Sequence, residues 1–150
     1  MVLAYVALGS NLGDRRAHLR SGVESLPDVQ RVSPVYETAP VGGPEQGPYL
    51  NCVVEIDTDL DPRRLLAACQ AAERRAERVR AVRWGPRTLD ADILLYGDVE
   101  VDDPELVIPH PRMAERRFVL APLSDLAPER CPPDWEATLP PDDVTPVGPL

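Results

Sequence analysis

Apolar residues fill nearly every position from Val2 to Leu8, the pattern of a central strand with both faces at least partly covered. The turn Gly9-Ser10-Asn11-Leu12-Gly13 follows, and the spacing then changes. Leu19, Val23 and Leu26 form one stripe of a helix that starts at about Asp14 and stops at Pro27-Asp28. Val29 to Glu37 reads as a strand, but Pro34 inside it demotes it to an edge or marks a bulge. Residues 38–48, TAPVGGPEQGP, have loop composition. From Leu50 to Thr58 the period is two, with Cys52, Val54 and Ile56 on one face and Asn51, Val53 and Glu55 on the other.

Asp61 followed by Pro62 is an N-cap with proline at the first helical position, where no backbone N–H is lost to the helix. The helix it opens has Leu65, Leu66, Cys69, Ala72, Ala76 and Val79 as its apolar face. Residues 83–87 form a loop, and Thr88 to Tyr96 a fourth strand. The order β-α-β-β-α-β predicts an α+β, ferredoxin-like sandwich: a mainly antiparallel sheet with both helices on one face. Eleven of the eighteen prolines fall in the last 47 residues. A hairpin around Gly97-Asp98 and a short helix before Phe118 are expected there, with extended, weakly ordered chain beyond about Pro132. One domain over 1–150 with a proline-rich tail at about 132–150 is the expected organisation.

Charge sharpens this picture. The net charge is −9, which argues against nucleic acid as the main partner because phosphate contacts demand positive surface. Every basic residue is arginine, and residues 63–87 hold eight of them against Glu73 and Glu77. A compact cationic patch beside a carboxylate-bearing strand suits a small polyanion bound with a metal. Cys52, Cys69 and Cys131 are far apart and odd in number, consistent with reduced thiols in a cytoplasmic protein. No apolar run reaches the ~18 residues of a membrane span, and the start MVLAYVALGSNLGD lacks the pattern of a secretory leader.

The chemistry concentrates in RWGPRTLDADILLYG, residues 83–97. On the strand, Leu89, Ala91, Ile93 and Leu95 take the helix side, while Thr88, Asp90, Asp92, Leu94 and Tyr96 take the other. Asp90 and Asp92 then lie roughly 7 Å apart at their Cα atoms. Two bare charges at that distance repel by about 2 kcal/mol at an effective dielectric of 20. A divalent cation reverses the sign, and magnesium takes one or two carboxylates and completes its shell with water and substrate phosphates. For Asp-x-Asp alone, a solvated pair on an exposed strand is at least as good a reading. The arginines just upstream favour the metal: a helix end explains Arg78 and Arg80, but not Arg87 behind Gly85-Pro86.

Arg83-Trp84-Gly85-Pro86-Arg87-Thr88-Leu89-Asp90-Ala91-Asp92-Ile93 resembles the signature of the 6-hydroxymethyl-7,8-dihydropterin pyrophosphokinase family. The opening Ala7-Leu8-Gly9-Ser10-Asn11-Leu12-Gly13-Asp14, Tyr49-Leu50-Asn51 and Ile108-Pro109-His110-Pro111-Arg112 extend the likeness from Ala4 to about Pro128. The resemblance implies transfer of the terminal diphosphate of ATP to a reduced pterin's hydroxymethyl group, with release of AMP, in folate synthesis. It implies substrates on the sheet face away from the helices, and two magnesium ions held by Asp90 and Asp92 between the ATP phosphates. Arg78, Arg87 and Arg116 match phosphate contacts, with Arg80 and Arg117 beside them. His110 matches a histidine near those phosphates, and Gln70, Glu73 and Ile93 match positions on the nucleotide side. For Gln70 and Glu73, an exposed helix face is an equal reading of the residues themselves.

For the pterin, Tyr49 and Phe118 match a stacking pair, and Asn51 offers the donor and acceptor that an amide edge requires. Thr38, Pro40 and Val41 match a loop wall, and Trp84 a gate. Where the family usually has glycine before the first phosphate arginine, this chain has Glu77. The loops at 38–48 and 78–87 are expected to close on nucleotide. A monomer that binds only small molecules is expected. Two other readings compete: a different Mg²⁺-dependent phosphoryl or nucleotidyl transferase, which would not need Tyr49, Asn51 and Phe118, and a non-catalytic binding module, which would not need the paired aspartates.

Overall fold

A computed structural model of the chain describes residues 1–38, 48–78, 88–140 and 144–150. Strand β1, Val2–Ser10, lies in the middle of a six-stranded sheet, between β4, Tyr49–Thr58, and β5, Asp90–Tyr96. Both pairings are antiparallel. The segment expected as one strand from Val29 is two, β2, Val29–Val32, and β3, Tyr36–Thr38, and both pair with β4. Pro34 sits in the gap and has no N–H to give a ladder, so the strand breaks there. In its place the Ser33 hydroxyl accepts the Val53 N–H at 2.8 Å.

Helices α1, Arg15–Ser25, and α2, Pro62–Arg78, pack together on one face of this sheet. Asp14 caps α1 by accepting the Ala17 N–H at 3.1 Å, and Asp61 caps α2 by accepting the Arg64 N–H at 2.8 Å. Leu65, Cys69, Ala72 and Ala76 of α2 are fully buried against Ala4, Val6 and Leu8 of β1 and Cys52, Val54 and Ile56 of β4. Trimming one of the large side chains, Leu65→Ala for example, costs about 2–5 kcal/mol by cavity formation. Ferredoxin-like architecture is what the apolar spacing predicts, and its four-strand core appears in the order β5-β1-β4-β2.

Four expectations change. The strict alternation in β5 fails after Ile93, because the register slips between Tyr5↔Leu95 and Val6↔Ile93 and makes Leu94 an extra residue. A bulge of this kind shifts every later side chain to the other face. Leu95 therefore joins Leu94 on the face away from α1 and α2, and Tyr96 returns to the helix side. Gly97-Asp98 make a turn, but the hairpin lies further on, between β6, Val101–Asp103, and β7, Leu106–Ile108. The helix near Phe118 is α3, Arg117–Leu126, which includes that residue and follows a 3₁₀ turn at Met113–Glu115.

The chain beyond Pro132 is not simply extended: it forms a short helix, α4, Trp135–Thr138, and a strand, β8, Val144–Pro146, on the outer edge of β3. Periodicity missed β8 because an edge strand of three residues carries too little pattern. Backbone bonds with Val35 and the Arg16 guanidinium on the Val147 and Pro149 carbonyls hold it. Helix α3 covers half of the sheet's second face, over Tyr5, Val53, Leu94 and Leu95. Among the described residues no element covers the other half.

Candidate active site

The open half is built where β1 ends and β4 and β5 begin. Gly9 pairs with Asn51 on one side and with Asp90 on the other, so the three residues form one row across the sheet. Ala7, between Val53 and Asp92, forms the next row on the same face. Gly9 leaves the floor bare: a Cβ there would stand 2.9 Å from Asn51 Oδ1 and 3.6 Å from Tyr49 Cδ1. The resulting cleft holds about 390 Å³ and is lined by Gly9, Thr38, Tyr49, Asn51, Asp90, Asp92, His110, Arg116 and Phe118. That volume lies within the ~300–1,000 Å³ of small-molecule sites.

Asn51 is buried, and its Nδ2 donates to Thr38 Oγ1 at 2.8 Å. The bond fixes the amide so that Oδ1 faces the Gly9 side of the cleft. Burial, and then the Asp90 charge, raise the pKa of the Tyr49 phenol, which keeps it protonated and able to donate. Phe118 lies in the first turn of α3, and the Arg116 guanidinium stands over its ring, 5.6 Å from the centroid. The cleft thus offers two aromatic rings, an oriented amide, a guanidinium and two carboxylates.

The β5 bulge also explains His110. The Leu94 carbonyl accepts the His110 N–H at 3.0 Å, which draws the histidine to the cleft beside Asp92. Its Nδ1 accepts the Arg112 N–H at 3.2 Å, so the ring proton belongs on Nε2, ready to donate. Burial lowers the His110 pKa; Asp92 pushes it up, and Arg116 and Arg112 push it down again. The imidazole is therefore mostly neutral at pH 7.

The structure brings together Thr38, Tyr49, Asn51, Asp90, Asp92, His110, Arg116 and Phe118. The Ile93 side chain is buried in the helix-side core, so only its backbone remains for a ligand. Gln70 is exposed on α2, and Glu73 accepts the Ala91 N–H; neither lines the cleft. Arg117 points to the tail, stacking over Trp135 and donating to the Glu136, Leu139 and Pro140 carbonyls. Pro40, Val41, Arg80, Arg83, Trp84 and Arg87 lie outside the described residues, as does the side chain of Arg78. Gly9 was missed as a site residue; a glycine ending an otherwise bulky strand was the available signal.

Among the described residues no group of three or more His, Cys, Asp or Glu side chains could hold a metal ion. Among the described residues the carboxylates lining the cleft are Asp90 and Asp92, two hard oxygen donors, half-exposed and exposed respectively. That is the donor set of an ion that completes its shell with substrate oxygens and water, and it fits magnesium better than a softer metal.

A ferredoxin-like sheet bearing a carboxylate-and-aromatic cleft defines a small-ligand site. The family of 7,8-dihydro-6-hydroxymethylpterin-pyrophosphokinases (HPPK) matches residues 5–128, and the chain belongs to it. It is 50% identical over 129 residues to a 2-amino-4-hydroxy-6-hydroxymethyldihydropteridine pyrophosphokinase of Bacillus subtilis, covering 83% of this chain and 77% of that protein. The Pseudomonas aeruginosa protein of the same name is 48% identical over 135 residues, covering 87% and 83%. An HPPK-DHPS crystal structure with substrates superposes with a TM-score of 0.66 at 12% identity. The match spans 85% of this chain but 40% of that one, so it speaks to the fold alone.

Proposed function

We propose that the cleft transfers diphosphate from ATP to 6-hydroxymethyl-7,8-dihydropterin, giving the pterin diphosphate and AMP. Family membership supports pyrophosphokinase activity on a hydroxymethyldihydropterin, in folate biosynthesis. The observation that carries the assignment of roles is one cleft lined together by the oriented Asn51 amide, the Tyr49 and Phe118 rings and the Asp90 and Asp92 carboxylates. A flat polar ring can lie between Tyr49 and Phe118 with its edge on Asn51. Asp90 and Asp92 would hold the magnesium that accompanies ATP. Bound there, the metal neutralises phosphate charge.

The remaining work belongs to side chains that bind and align. In this reading Arg116 contacts a phosphate, and neutral His110 donates its Nε2–H to a phosphate oxygen. Arg78 and Arg87 complete the phosphate contacts in this reading, and Pro40, Val41 and Trp84 the pterin wall. The chain acts as a single-domain monomer in the cytoplasm. Among the described residues no helix is long and apolar enough to cross a membrane.

The test is an incubation of the purified protein with 6-hydroxymethyl-7,8-dihydropterin, ATP and Mg²⁺, scored for AMP against ADP. AMP formed only when the pterin is present is the expected result. ADP would replace diphosphate transfer by single-phosphate transfer, and neither product would return the cleft to a binding role.

A further inference from the structure

Strand β5 is an outer strand of the main sheet, with β1 as its one partner there. An antiparallel strand aims successive N–H groups at opposite edges, so an outer strand turns half of them away from its neighbour. At Ala91 the outward N–H has found an acceptor on α2: Glu73 Oε2, at 3.1 Å. Alternation then turns the N–H groups of Asp90 and Asp92 inward, towards their partners Gly9 and Ala7. The residue between the two carboxylates is thereby gripped from the helix side, while its neighbours are gripped by β1.

We infer that Glu73 is a positioning residue for the carboxylate pair: it sets the spacing and orientation of Asp90 and Asp92 through the Ala91 N–H, and it does not bind the nucleotide. The inference rests on the proposed role of the two aspartates as metal carboxylates. A hydrogen bond to an ionised acceptor is roughly twice as strong as a neutral one, which suits it to pinning an edge that no described strand covers. Glutamine keeps an acceptor at the same reach, whereas alanine removes it, so the two substitutions separate the bond from the charge.

The experiment follows amide exchange at Ala91 in metal-free protein, Mg²⁺ binding with a non-hydrolysable ATP analogue at the amides of residues 90–92, and steady-state kinetics. Glu73→Ala is expected to speed Ala91 exchange at least tenfold. It should raise the half-saturating Mg²⁺ concentration and lower kcat by about tenfold each, the usual scale for a group that orients metal ligands. KM for ATP should stay within twofold, and Glu73→Gln, which keeps the acceptor but not its charge, should restore most of each loss. A raised KM for ATP with unchanged Ala91 exchange would make Glu73 a nucleotide contact and overturn the inference. Faster exchange with unchanged Mg²⁺ dependence would reduce Glu73 to a support for the strand, which also overturns it. The amide and Mg²⁺ readouts decide the point even if the wild-type protein turns over no pterin.

Discussion

The two halves of the second sheet face are built from the same three strands and come out opposite in character. Reading β1 from its start, that face presents Tyr5, then Ala7, then Gly9, so side-chain volume falls to nothing along one strand. On β4 the matching series is Glu55, Val53, Asn51, and on β5 it is Leu95 and Leu94, Asp92, Asp90. Where the side chains are large, α3 covers them and a closed apolar cluster results. Where they are small or polar, the cleft remains. The one carboxylate in the packed half, Glu55, is saturated: Tyr5 donates to it at 2.8 Å and Arg31 at 2.6 and 3.0 Å. The carboxylates in the open half face a cavity. A hydrogen-bonded carboxylate under a helix and carboxylates lining a cleft can thus share one sheet surface, sorted by the size of their neighbours.

The hardest test of that division is to neutralise the cleft carboxylates. Asp90→Asn and Asp92→Asn should each lower turnover by at least ~10²-fold, the loss expected when one preorganised charge-stabilising group is removed. For Asp92→Asn the melting temperature without metal should stay level or rise, because the repulsion between the two charges disappears. Steady-state kinetics and a thermal melt check both halves of the statement. Full turnover in both variants would remove the metal assignment.

A methyl group at Gly9 makes a subtler break, by extending the packed half's bulk into the open one. The added Cβ would meet Asn51 Oδ1 at 2.9 Å, inside any contact that real Cβ atoms make, so the amide must move. Gly9→Ala should therefore raise KM for the pterin by roughly tenfold, about 1.4 kcal/mol of lost binding, with KM for ATP little changed. Competition binding of the pterin alone separates this from a folding defect. Equal losses for both substrates would mean that the floor as a whole has shifted.

Legibility from the sequence followed the same division. The helix-side core was readable because its signal is regular: period two in β1 and β4, a stripe in α2, and caps at Asp14 and Asp61. The placement of Asp90 and Asp92 on the opposite face followed from that period alone, and Tyr49, Asn51 and Phe118 needed the family resemblance. What escaped is whatever depends on register or on distant pairing. The Leu94 bulge is invisible in an unbroken apolar run, yet it reverses Leu95 and Tyr96 and brings in His110. Arg116 and Arg117 are adjacent in sequence and indistinguishable by charge, and the family resemblance alone favoured Arg116. Only the position at the start of α3 sends one to the cleft and the other to the tail.

The smallest effect on turnover should come from the packed half's carboxylate. Glu55 sits between the Tyr5 hydroxyl and the Arg31 guanidinium, and Arg31 also donates to the Leu126 carbonyl at the end of α3 at 2.8 Å. The Arg31 hydrogen bonds, followed by that from Tyr5 and against the cost of burial, hold the Glu55 carboxyl below its ordinary 4.5. A carboxyl lowered on folding contributes stability that is complete above about pH 4.5 and is lost as the pH falls through its folded value. Glu55→Gln should cost on the order of 1–2 kcal/mol at pH 7, since Arg31 is half-exposed and the pair is partly screened. In a chain of this size that is a fall in Tm of roughly 3–6 °C. The gap between the two proteins should narrow below pH 4.5 and close once wild-type Glu55 is protonated in the fold, while kcat at 25 °C stays within twofold throughout. Thermal melts from pH 7 to pH 3 read the gap directly. A constant gap would mean that Glu55 acts through shape rather than charge, and a tenfold loss of kcat would mean that the packed and open halves of this face are mechanically one.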